Sequence, residues 1–115
     1  MMTKLMTLAA ENGFSHWAPA AMDALTPRIE VRDMCRADRC GQWNANWACP
    51  PHCGTLEETA AAIRRFTAGL LVQTTGTLAD DFDYEGMEAV QRRHKKSFSG
   101  LVRQARLLLP DCLPL

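Results

Sequence analysis

The segment Cys35-Arg-Ala-Asp-Arg-Cys40-Gly-Gln-Trp-Asn-Ala-Asn-Trp-Ala-Cys49-Pro-Pro-His-Cys53-Gly54 governs the reading of the whole chain. From Asp33 to Gly54 there is neither the period of an amphipathic helix nor the alternation of a half-buried strand. A stretch of that length without regular structure is uncommon inside a small domain. Something other than a backbone ladder has to order it, and the residues supply a candidate: four cysteines in a C-x4-C-x8-C-x3-C pattern.

A thiolate is a soft anionic donor, and four of them complete either a cubane iron–sulfur cluster or a tetrahedral zinc site. The spacing weighs between the two. Structural zinc sites draw their ligands from close C-x2-C pairs on tight knuckles, and neither half of this pattern has that form. Clusters accept wider loops, and bacterial cluster motifs place proline directly after a cysteine, as Cys49-Pro50 does. The expectation is an iron–sulfur cluster, 4Fe–4S in type, on Cys35, Cys40, Cys49 and Cys53, with Zn as the alternative cofactor. Four unrelated buried thiols or two disulfides are the competing readings, and disulfides require an oxidising compartment.

Within the loop, Pro50 and Pro51 fix two backbone angles, while Gly41 and Gly54 permit sharp turns or close approach. Trp43 and Trp47 are expected either to shield a metal centre or to serve as core residues. Arg36 and Arg39 either offset thiolate charge or lie in solvent. His52, next to proline in a turn between two candidate ligands, is expected to be a surface residue, with replacement of one ligand as the alternative; His16 and His94 are weaker candidates still.

Outward from the loop, regular structure resumes. Thr55-Leu-Glu-Glu58 has the form of a capping box, opening a helix over 55–67 with Leu56, Ala60 and Ile63 along one face. Leu70-Leu-Val-Gln-Thr-Thr75 reads as a buried strand. The acidic run Asp80-Asp-Phe-Asp83 opens a last helix over 84–108, whose stripe is Met87, Val90, His94, Phe98, Leu101, Ala105 and Leu108. Upstream, residues 3–12 fit a helix ended by Asn12-Gly13. Phe14 to Ala18 is extended, and Ile29-Glu-Val31 alternates like a strand. The fold class is mixed α/β: a small sheet of two or three strands, about three helices and an irregular Cys-rich loop over 33–54. Residues 1–115 are expected to form one domain.

Bulk properties remove several functions. The 13 basic and 13 acidic side chains cancel, so no broad positive field exists for nucleic acid or an anionic membrane. No apolar run approaches the roughly 20 residues that cross a bilayer. Glu11 and Asn12 interrupt the N-terminal apolar stretch before a signal-peptide core forms, which places the chain in the cytoplasm, where thiols stay reduced. There is no G-x-x-x-x-G-K, G-x-G-x-x-G or G-x-S-x-G motif, so no reaction is assigned and no catalytic residue is named. A redox protein is the expected partner of a cluster-bearing chain; a zinc site would instead make a structural or protein-interaction module.

At Val31-Arg-Asp-Met-Cys35 and Trp47-Ala-Cys-Pro-Pro-His-Cys-Gly54 the chain resembles a family of predicted metal-binding proteins, domain of unknown function 2284. Leu70-Leu-Val-Gln-Thr74, Asp81-Phe-Asp-Tyr-Glu85 and the helix carrying His94 and Phe98 extend the likeness. The resemblance implies that Cys35, Cys40, Cys49 and Cys53 are metal ligands. It also implies that this chain is the N-terminal part of a longer protein, since family members continue into a second cysteine-rich segment. Cys112 lies outside the resemblance and is expected to be a core or terminal thiol.

Overall fold

A computed structural model describes the whole chain, Met1–Leu115, and divides it into two compact units. One joins Met1–Ala20 to Gly69–Leu115; the other is Ala21–Ala68.

The first unit begins with α1 (Met2–Glu11). Its end is a left-handed turn at Gly13, φ 86°. The Gly13 amide donates to the Ala10 carbonyl at 3.1 Å and the Phe14 amide to the Ala9 carbonyl at 3.4 Å. This paired closure satisfies carbonyls left open at a helix end, and glycine adopts the required φ without a steric cost. It also delivers Phe14 into the core, where Ala9, Phe14 and Leu101 are buried together beneath Leu8, Trp17, Leu70, Val72 and Phe98.

Strands β1 (His16–Ala20) and β2 (Gly69–Gln73) form a two-stranded antiparallel sheet, Trp17 opposite Val72 and Ala20 opposite Gly69. Alternation puts Leu70 and Val72 on the core side, whereas Leu71 is exposed. Pro19 is tolerated because each strand of a two-stranded sheet has a free edge. Helix α4 (Tyr84–Leu108) has the expected bounds. Ser97, Leu101 and Ala105 are its buried residues, one turn apart, while Met87 and Leu108 at the ends of the expected stripe are exposed. The Asn12 side chain donates to the Leu8 carbonyl at 2.8 Å and to Gln104 Oε1 at 2.7 Å, tying the end of α1 to α4.

The second unit contains a short 3-10 turn at Met22–Ala24, α2 (Ile29–Arg36) and α3 (Leu56–Arg64). The strand expected at Ile29–Val31 is instead the first turn of α2. Three residues of alternation do not distinguish a strand from a helix, and Ile29 and Val31 are both exposed, so no burial rewards alternation. Glu30 in the first turn and Arg36 in the last complement the helix dipole. The chain is therefore mixed α/β with four α-helices and two strands, one helix more than expected. Thr55 caps α3 as read, its Oγ1 accepting from the Glu58 amide at 3.1 Å. Within Ala21–Ala68, Ile63 is the sole buried hydrophobic residue. No helix is long and apolar enough to cross a membrane.

Candidate metal centre

All four cysteines of the pattern fall in the second unit, and none is in a disulfide. Cys35 is half-buried near the end of α2, a regular helix rather than the irregular loop expected for it. Cys40 and Cys53 are exposed, and Cys49 is half-buried. Cys112 belongs to the other unit, after α4, and is half-buried.

The backbone between them is a series of turns. Asp38 and Asn44 take left-handed conformations, φ 56° and 58°, which aspartate and asparagine tolerate better than other non-glycine residues. The Asp38 amide donates to the Cys35 carbonyl at 2.9 Å and the Gly41 amide to the Asp38 carbonyl at 3.1 Å. Asp38 Oδ1 accepts from the Trp43 amide at 3.0 Å, so one aspartate organises the path from Cys35 past Cys40. The Asn44 amide donates to the Pro50 carbonyl at 2.9 Å, joining the segment after Cys40 to the segment after Cys49. Between Cys49 and Cys53 the His52 amide donates to the Cys49 carbonyl at 3.0 Å. The loop thus has its own hydrogen-bonded frame, as irregular backbone requires.

Its far end is attached to α2. Arg32 Nη1 donates to the Gly54 carbonyl at 2.6 Å. Gly54 has φ 92°, and a Cβ there would lie 3.0 Å from Glu58 Oε2, so the position suits only glycine. Arg36 lies over the Trp43 ring at 5.8 Å and pairs with Asp33 at 3.5 Å. Trp47 is 84% exposed, its ring 5.3 Å from His52, so it stands at the surface of the loop. Arg32, Arg36, Trp43, Pro50, Pro51 and Gly54 line a groove of about 500 Å³ whose opposite wall is the first turn of α3.

The donor set fits a thiophilic metal: four unpaired thiols within nineteen positions of one unit. Their placement is looser. No three of the His, Cys, Asp and Glu side chains stand together where one ion would reach them. Arg32, Asp38 and Asn44 were not singled out from the sequence. Arg32 becomes legible once Ile29–Arg36 is known to be helical, because it then shares a face with Cys35.

In the first unit His94 is integrated into packing. Its Nδ1 is hydrogen-bonded to Thr74 Oγ1, and its ring meets Phe14 edge-on at 5.5 Å and stacks on Phe98 at 6.2 Å. It also lines a shallow depression of about 350 Å³ with Leu78, Met87 and Val90.

No curated protein matches the chain, and no solved structure does. The sequence model of the family described as "Predicted metal-binding protein (DUF2284)" matches residues 21–110, a span that contains all four cysteines of the pattern and begins after β1. With most of its length inside that match, the chain belongs to this predicted metal-binding family.

Proposed function

We propose that Cys35, Cys40, Cys49 and Cys53 coordinate an iron–sulfur cluster, 4Fe–4S in type, and that the protein passes electrons to or from a redox partner in the cytoplasm. The observation that carries this reading is the coincidence of four unpaired thiols with a unit that has almost no core of its own. A unit of this size buries little apolar surface, and small scaffolds commonly add disulfides or metal to hold their fold. Ile63 alone is buried there, and the cysteines form no disulfide.

A bound cluster would supply one-electron chemistry. The chain's own residues do the rest. Thiolates hold the metal, Pro50 and Pro51 limit the loop's freedom, and the hydrogen bonds at Asp38 and Asn44 keep its turns in place. Coordination by all four sulfurs would tie the loop between α2 and α3 at four points, so metal binding and loop ordering are coupled.

Zinc is the second reading, in which the metal ties the loop between α2 and α3 and no electron moves. Elemental analysis of anaerobically purified protein separates them. Iron with equimolar acid-labile sulfide and brown colour supports the cluster; stoichiometric zinc in a colourless sample supports the module; neither metal, even after reconstitution, removes both.

A further inference from the structure

We infer that Arg32 is a positioning residue of the metal site, clamping the Cys53 end of the loop against the helix that carries Cys35. The inference rests on the proposed metal reading and adds to it a residue that is not itself a ligand.

Arg32 and Cys35 are three positions apart in α2, so their side chains leave the same side of the helix. Arg32 Nη1 donates to the carbonyl of Gly54, the residue directly after Cys53. The bond is 2.6 Å long, partly buried, and spans 22 positions of sequence. It is the one side-chain hydrogen bond joining α2 to the far end of the cysteine loop. The first and last thiols of the pattern are therefore attached to two residues that hold each other. The middle thiols have no such side-chain tie to a helix: around Cys40 and Cys49 the side-chain bonds, from Asp38 and Asn46, stay within the loop.

The chemistry of the pair suits a clamp. A guanidinium stays charged at any working pH and binds a carbonyl through fixed, planar donors. Gly54, whose carbonyl accepts the bond, has a left-handed backbone angle of 92°, and an added Cβ would stand 3.0 Å from Glu58 Oε2. Ligands held in advance lose less conformational freedom when metal binds, and groups that orient ligands typically carry about 10–100-fold in metal affinity.

The test uses the full chain, reduced and anaerobic, titrated with Co²⁺ and followed by thiolate-to-metal absorption. Arg32→Gln is expected to weaken Co²⁺ binding about 10–100-fold with the far-ultraviolet circular dichroism unchanged. Arg32→Lys, which keeps a donor, is expected to lose less; equal losses in the two overturn the proposal. In a Cys53→Ser background, Arg32→Gln should cost less than about twofold, since the thiol that it positions is gone. A full additional loss in that background assigns Arg32 to general stability and overturns the clamp. Wild-type protein that binds Co²⁺ as tightly as Arg32→Gln removes the clamp and leaves the metal reading standing. Wild-type protein with no thiolate–Co²⁺ band and no uptake of iron and sulfide removes both.

Discussion

Thr74 Oγ1 and His94 Nδ1 stand 2.7 Å apart, linking the residue after β2 to the middle of α4. The bond is partly buried and lies beside Phe14 and Phe98. Thr74→Val keeps the shape and leaves the imidazole nitrogen unpaired, which typically costs about 1 kcal/mol. Urea unfolding should give a lower midpoint with an unchanged slope. An unchanged midpoint means that water replaces the hydroxyl at no cost.

Asp83 is the hinge of the α4 start. Its carboxylate accepts from the Ala79 amide at 3.0 Å and the Gly86 amide at 2.9 Å, and these bonds hold its pKa below the ordinary value. A depressed carboxyl pKa stabilises the fold above the unfolded value, here near 3.8, and that contribution is lost as pH falls through the lower folded value. Asp83→Ala should lower the melting temperature at neutral pH and flatten its fall under acid. Asp83→Asn, which still accepts hydrogen bonds, should keep much of the cap. Parallel pH profiles in wild type and Asp83→Ala exclude this linkage.

Gly86 has no room for a side chain, because an added Cβ would collide with the Asp83 carboxylate and press on Leu78. Gly86→Ala should therefore destabilise the chain although alanine is the better helix former. Thermal melts of the two proteins decide the sign; a higher melting temperature in the variant shows that Asp83 moves aside freely.

Leu101 is 6% exposed and packs with Ala9 and Phe14. Truncation to alanine removes buried methyl groups and leaves a cavity, at a typical cost of about 2–5 kcal/mol. Denaturant titration should show it, with the far-ultraviolet spectrum retained at low denaturant. A loss under about 0.5 kcal/mol places Leu101 in a region free to collapse.

Amide exchange should divide the chain. On metal loading, amides from Ala37 to Cys53 should slow strongly, whereas those of α4 and β2 should change little. Uniform slowing across both units would contradict a centre confined to the loop.

The fold was readable where local chemistry and burial agreed. Thr55, Asn12 with Gly13, and the acidic start of α4 each carry a cap whose atoms lie within a few residues, and each forms; of the capping box only the Thr55 half does, the Glu58 side chain making no bond back to the Thr55 amide. Ile29–Val31 failed because its side chains meet no core, which leaves the pattern of apolar residues without meaning there. The cysteine pattern marked a segment that lies inside the family match. It did not carry the tertiary tie, since Arg32 and Gly54 lie 22 positions apart and nothing in either residue type announces the other.

The β1–β2 pairing has one more implication. Ala20 faces Gly69, so the chain leaves the hairpin and re-enters it at adjacent points, and the cysteine-bearing unit is topologically a very long turn. Closing such an excursion becomes only slowly more costly as it lengthens. In loop-closure terms the hairpin has little preference for the length of what it carries, and a short Asn-Gly linker in place of residues 21–68 should leave α1, the two strands and α4 as a foldable remainder.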